Sequence, residues 1–225
     1  MPPTRESAMV RQLLVVCFVF LATYFGLPAL GLAMAGPVAV VLASVAAVLL
    51  LRRGGESWSA LGLVRPSRPL RLLVSSLGIA VLGYLVAVVA MVVATQGLGW
   101  PPMQSGRIGS VQGNLPALLG ILAIAWTTAA LGEELLFRGF LQGRLQALLG
   151  ARRGAGLLAA TVQGLVFGLA HAYQGPTGVL VTGSLGLVFG LLYLRTKSLW
   201  PLVIAHGLID TLSLLALYAG ALPAQ

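Results

Sequence analysis

Apolar runs of membrane-spanning length, separated by connections that hold most of the charge, constrain this chain more than any other feature. A helix needs about 20 mainly apolar residues to cross a hydrocarbon core of about 30 Å. Candidate runs are Arg11–Ala33, Pro37–Leu51, Leu70–Ala94, Leu115–Leu149, Gly156–Ala172, Gly178–Leu194 and Leu199–Leu222. Composition agrees: 58% of residues are hydrophobic and 8% charged, with a mean hydropathy of +0.97. Soluble domains are about 45–50% apolar and about 25% charged, so a soluble protein, a disordered chain and a disulfide scaffold are all excluded. The single cysteine, Cys17, cannot form an internal bridge. The first run is too long, and too poor in a small-residue cleavage site, to read as a signal peptide. The expected fold is all-α, a polytopic transmembrane helix bundle of about seven spans.

Basic residues set the expected orientation. Arg5 and Arg11 precede or begin the first run, and Arg52, Arg53, Arg65, Arg68 and Arg71 fill the second connection. Arg144, Arg152 and Arg153 lie at the end of the long run, and Arg195 and Lys197 lie between the last two. The alternate connections carry only Arg107. By the positive-inside rule this places the N-terminus in the cytoplasm and the C-terminus outside, in the inner (plasma) membrane. The net charge of +9 then reflects topology and anionic lipid headgroups, not nucleic acid. Lys197 is the one lysine among 14 basic residues, an arginine bias that hints at a GC-rich bacterial genome.

Two segments read as connections. Glu56–Ser67 mixes Trp58, Leu61, Leu63 and Val64 with polar residues, as an interfacial stretch does, and Gln96–Asn114, with Pro101 and Pro102, reads as a flexible outer loop. The run Leu115–Leu149 would measure about 52 Å as one straight helix, so it must protrude, tilt or break. Gly132 is a candidate break, and splitting there would make eight spans. The chain divides at this run into N-terminal helices 1–3 with their loops, residues 1–114, and a helical core, residues 115–225.

The polar residues concentrate in that core. Of five acidic residues and two histidines, Glu133, Glu134, Asp210, His171 and His206 all fall within expected spans, as does Arg138. Each ionisable group in a membrane costs about 2.5–3.5 kcal/mol on insertion scales, and one shared polar site explains them most economically. Three pairs stand one helical turn apart: Glu134 with Arg138, Phe167 with His171, and His206 with Asp210. Glycines at small-xxx-small spacing, Gly139 with Gly143, Gly164 with Gly168 and Gly186 with Gly190, suit close helix approach in lipid.

These three pairs, preceded by Glu133, resemble the ordered motifs of the CPBP intramembrane protease family, also called Abi, which includes the type II CAAX prenyl endopeptidases and bacteriocin-processing or immunity proteins. Gly132-Glu133-Glu134-Leu135-Leu136-Phe137-Arg138-Gly139 resembles the first motif closely, and Ser59-Ala60-Leu61-Gly62-Leu63 resembles a stretch often found ahead of the core. The departure is Asp210, where members often carry asparagine. The resemblance covers about residues 115–220 and implies an intramembrane endopeptidase acting on a membrane-associated protein or peptide, by CAAX-type or leader- or bacteriocin-type processing. It implies that Glu133 and His171 activate a water. His206 and Asp210 then polarise the scissile carbonyl or stabilise its oxyanion. Glu134 and Arg138 read as a structural ion pair and Phe167 as packing beside the site. Glu133, His171 and His206 also match a zinc set with an open position, but a metal-free glutamate base is equally compatible. The competing readings are an ion- or proton-coupled transporter, whose relays also use buried acids and histidines, and a non-catalytic immunity or scaffold protein.

Overall fold

The computed structural model describes residues 4–32, 34–104 and 111–221. Among these residues the chain forms seven long helices, two short 3-10 turns (Trp58–Leu61 and Ala172–Gln174) and no strand: α1 (Arg5–Ala29), α2 (Ala35–Arg53), α3 (Pro69–Val92, prolonged by one wide turn to Gly97), α4 (Leu115–Leu149), α5 (Ala155–Ala170), α6 (Gly175–Thr196) and α7 (Trp200–Tyr218). Six are long and apolar enough to cross a membrane. The exception is α5, at 16 residues, about 24 Å long. The protein is a multi-pass helical membrane protein.

Local chemistry explains the helix ends. Thr4 Oγ1 accepts the Ser7 amide and begins α1, and Asn114 Oδ1 accepts the Ala117 amide and begins α4, each satisfying a free amide of a first turn. Pro69, Pro116, Pro176 and Pro201 occupy first turns, where the missing N–H costs nothing. Gly150 (φ +64°) and Gly154 (φ +84°) make the turn between α4 and α5.

The long helix α4 does not break. It runs through Gly132, and its middle, Ala125–Gln142, is wound with i→i+5 hydrogen bonds. That winding packs more residues into each turn than an α-helix, and wide turns of this kind concentrate at functional sites. Gly132 has a different purpose: a Cβ there would lie 2.7 Å from Val40 Cγ1 on α2, and Ser44 Oγ donates to the Gly132 carbonyl at 3.3 Å. A close approach between α2 and α4 requires the glycine, and the eight-span alternative falls.

The connections are also better anchored than their composition implies. The central part of the expected flexible loop, residues 105–110, lies outside the described residues, but both flanks are pinned. Thr177 Oγ1 donates to Pro101 O (2.7 Å), the Gln104 amide to Gln174 O (3.0 Å) and the Gly113 amide to Tyr218 O (3.1 Å), and Val111 is buried. In the stretch Glu56–Ser67, Trp58 is exposed but Leu61 is buried in the core. Arg144 pairs with Glu56 of this connection.

Helices α5 and α6 pack closest. A Cβ at Gly164 would lie 2.8 Å from the Leu187 amide nitrogen, and one at Gly168 would lie 2.7 Å from Val179 O. Gly186 faces Gly164, and Gly190 faces Gln142 and Gln163. Gly143, by contrast, has nothing within 4 Å of where its Cβ would be, so its spacing from Gly139 carries no packing role. Gly164→Ala is expected to destabilise the fold by about 1–3 kcal/mol, because the atoms it meets are backbone and cannot yield. Gly120→Ala, whose Cβ meets nothing within 4 Å, is the matched control. Thermal unfolding in detergent should show a lowered midpoint for the first variant and none for the second.

Candidate active site

The site is built on one face of α4. Glu134, Arg138 and Gln142, spaced four residues apart, all point into the bundle and are fully buried. Arg138 Nη1 donates to Glu134 Oε1 at 2.8 Å. The guanidinium lies 4.4 Å from the Phe167 ring centre and 5.4 Å from that of Phe189, a sandwich in which both aromatic faces stabilise the cation. Glycine-rich α6 supplies bare carbonyls to the same polar face. Gly186 O accepts from Gln163 Nε2 (2.7 Å) and from Arg138 Nη2 (3.5 Å), and Gly190 O accepts from Gln142 Nε2 (2.9 Å).

His206 reaches this face from α7. Its Nδ1 donates to Glu134 Oε1 at 3.0 Å, so one carboxylate oxygen receives both Arg138 and His206. The other ring nitrogen, Nε2, stands 3.6 Å from Asp210 Oδ2, one turn further along α7. His171 sits where α5 ends. Its Nδ1 donates to Phe167 O at 2.8 Å, which leaves Nε2 as the free ring nitrogen and hence, in a neutral ring, as an acceptor. Phe167 is buried, meets Phe137 edge-on at 5.0 Å and supports the His171 ring at 4.7 Å.

Glu133 lies next to Glu134 and turns to a different side of α4. Its charge is within range of His206, Asp210, Arg138 and Glu134, and that of His171 is within range of His206 and Asp210. The Glu133 Oε2 atom is sealed from the surroundings and receives no hydrogen bond from the protein. The structure therefore gathers Glu133, Glu134, Arg138, Phe167, His171, His206 and Asp210 around one region, from three parts of the sequence.

Three features of this region are not evident from the motifs. Glu134 is more than the partner of Arg138, because it also fixes the His206 ring. Tyr173, just after His171, lies 5.9 Å from that ring and within charge range of Glu133 and Asp210. Trp126 packs on Gly207 and donates to Thr211 Oγ1 at 3.1 Å, clamping α7 beside His206. The spacing of Glu134, Arg138 and Gln142 could have pointed to a polar face. Nothing in the sequence pairs Trp126 with Gly207.

A zinc site would need three donors converging on one ion. Among the described residues no three His, Cys, Asp or Glu side chains are so grouped. His206 has one ring nitrogen committed to Glu134 and the other facing Asp210. As arranged, the donor set does not fit the metal, and no step below is routed through one.

The fold and site define a class: a helical membrane protein with an acid–histidine centre inside the bundle. The family model described as Type II CAAX prenyl endopeptidase Rce1-like matches residues 115–212. The match agrees with the CPBP resemblance of the motifs and points to CAAX-type protease activity. No curated protein and no solved structure matches the chain.

Removing one member of a buried ion pair typically costs about 3–5 kcal/mol, because the other charge is stranded. Arg138→Ala should therefore lower both the yield of folded protein and its melting temperature in detergent. If stability were unchanged while cleavage disappeared, Arg138 would join the catalytic groups.

Proposed function

We propose that this protein is an intramembrane endopeptidase that hydrolyses a peptide bond of a membrane-associated protein or peptide, with residues 115–225 as the catalytic core and helices α1–α3 supporting it. The observation that carries this reading is Glu133. A buried carboxylate oxygen without a protein partner costs about 1–3 kcal/mol, yet it is kept here within charge range of His206 and Asp210. Glu134 also leaves Oε2 unpartnered but is held through Oε1 by Arg138 and His206, whereas the Glu133 side chain takes part in no hydrogen bond among the described residues and keeps the free lone pair a general base needs.

In this mechanism Glu133 takes a proton from water, and the Nε2 lone pair of His171 holds the same water in line. The hydroxide attacks the scissile carbonyl carbon. Negative charge gathers on the carbonyl oxygen, which His206 and a protonated Asp210, donating its O–H, stabilise from α7. Glu133 then returns its proton to the departing amine, and the C–N bond breaks. Glu134 acts through His206 by holding the ring, and Phe167 acts through His171 and Arg138. The arginine-rich end of the bundle faces the cytoplasm, and the protein resides in the bacterial inner membrane. CAAX-type and leader- or bacteriocin-type peptides are the substrate classes this site serves.

Glu133→Gln preserves shape and removes the proton acceptor, so cleavage should fall by about 10²-fold or more. Near-normal turnover by the folded variant, measured on purified protein in liposomes, would remove Glu133 from this role. A comparison of protein termini between cells carrying wild type and Glu133→Ala would reveal the substrate.

Asp210 distinguishes this chain within the family pattern. If the position works by donating a hydrogen bond, Asp210→Asn keeps most activity, whereas Asp210→Ala loses about 2.7–4 kcal/mol of barrier lowering. Turnover of both variants at neutral pH, normalised to folded protein, is the check. Equal loss in both variants would instead assign the role to the negative charge.

A further inference from the structure

The stretch Ser59–Leu63 stands out in sequence, yet the catalytic mechanism gives it no task. Its backbone lies at a joint between the two helices that carry the site. The Gly62 carbonyl accepts the Leu199 amide at 2.9 Å, at the very start of α7. The Leu61 carbonyl lies against Gly139 on α4, where a Cβ would come within 2.7 Å of the oxygen and 3.3 Å of Leu199 Cδ1. Gly62 itself adopts φ +76°, and a Cβ on it would meet the Tyr193 hydroxyl of α6 at 2.7 Å. Leu61 is 2% exposed and Leu199 is fully buried. The same connection is tied again to α4 by the ion pair of Glu56 with Arg144.

The positions of these contacts matter for the site. Gly139 follows Arg138 directly and lies five residues after Glu134. Leu199 lies seven residues before His206, about 10 Å along the helix. Helices transmit the placement of their ends as nearly rigid rods, so the spacing of Gly139 from Leu199 governs whether His206 Nδ1 meets Glu134 Oε1. We propose that Leu61 and Gly62 are positioning residues, a backbone staple that sets α7 against α4 and thereby holds His206 on Glu134. The connection from α2 to α3 thus controls the geometry of a site to which it contributes no side chain.

The chain has only two histidines, so a nitrogen NMR spectrum of histidine-labelled protein contains two rings, assigned through His171→Gln. The test compares wild type with Gly139→Ala, which pushes the staple away from α4, and with Leu61→Ala, which removes buried side-chain atoms without adding a clash. Should Gly139→Ala fail to accumulate, Leu61→Ala carries the same comparison. The expected result, well below the melting temperature, is a shifted His206 Nδ1 resonance with His171 unchanged. The kinetic part rests on the function proposed above: kcat should fall about 10- to 100-fold with KM nearly constant, as for a small misplacement of a reacting group. A folded variant with both histidine spectra unchanged, or with both shifted alike, overturns the staple. A shifted His206 in a protein whose wild type cleaves nothing supports the staple and refutes the protease reading instead.

Discussion

The buried pair of Glu134 and Arg138 is the interaction around which this bundle is organised. Two opposite charges inside a membrane protein need partners, and these two recruit them from several helices, although Glu134 Oε2 and Arg138 Nε are left without one. Arg138 takes Glu134, two aromatic faces and a glycine carbonyl. Glu134 takes Arg138 and His206 through one oxygen. Because lipid cannot compensate a missing partner, helices α5, α6 and α7 are all drawn to α4 at defined heights. The polar requirement thus gives directional contacts to helices whose apolar surfaces could otherwise pack in many ways.

The glycines of α5 and α6 are the counterpart of that pair. Where Gly164 and Gly186 meet, the two backbones come close enough for bare carbonyls to act as acceptors. Gln163, Gln142 and Arg138 all use those carbonyls. Small residues therefore do two things in one place: they allow close packing, and they expose the acceptors that satisfy the buried donors. The same logic operates at Gly139, where a missing Cβ admits the Leu61 carbonyl between α4 and α7.

Much of this was legible in the chain. Seven apolar stretches correspond to seven helices, since hydrocarbon thickness and backbone hydrogen bonding leave little choice once about 20 apolar residues occur in a row. The pairs at i,i+4 meet as helical geometry dictates. The errors arose where a residue type has more than one use. Gly132 read as a break because glycine weakens helices, but its use is a tertiary approach by Val40. Arg144, besides its place among the basic residues at the end of the long run, pairs with Glu56, a contact its residue type does not reveal.

By itself the sequence determined that the chain is helical, that it spans a membrane, and that its few ionisable groups lie at spacings that form local pairs. These properties follow from short-range rules, namely the length of apolar runs, the helical repeat and the cost of charge in lipid. Only the tertiary structure decided which pairs share a site. That Glu134 holds His206, that Glu133 lies within charge range of His206 and Asp210, and that Leu61 stands between α4 and α7 depend on how whole helices rotate and slide against one another. Those placements are set by many weak contacts summed over long surfaces, and no local pattern of residues encodes such a sum.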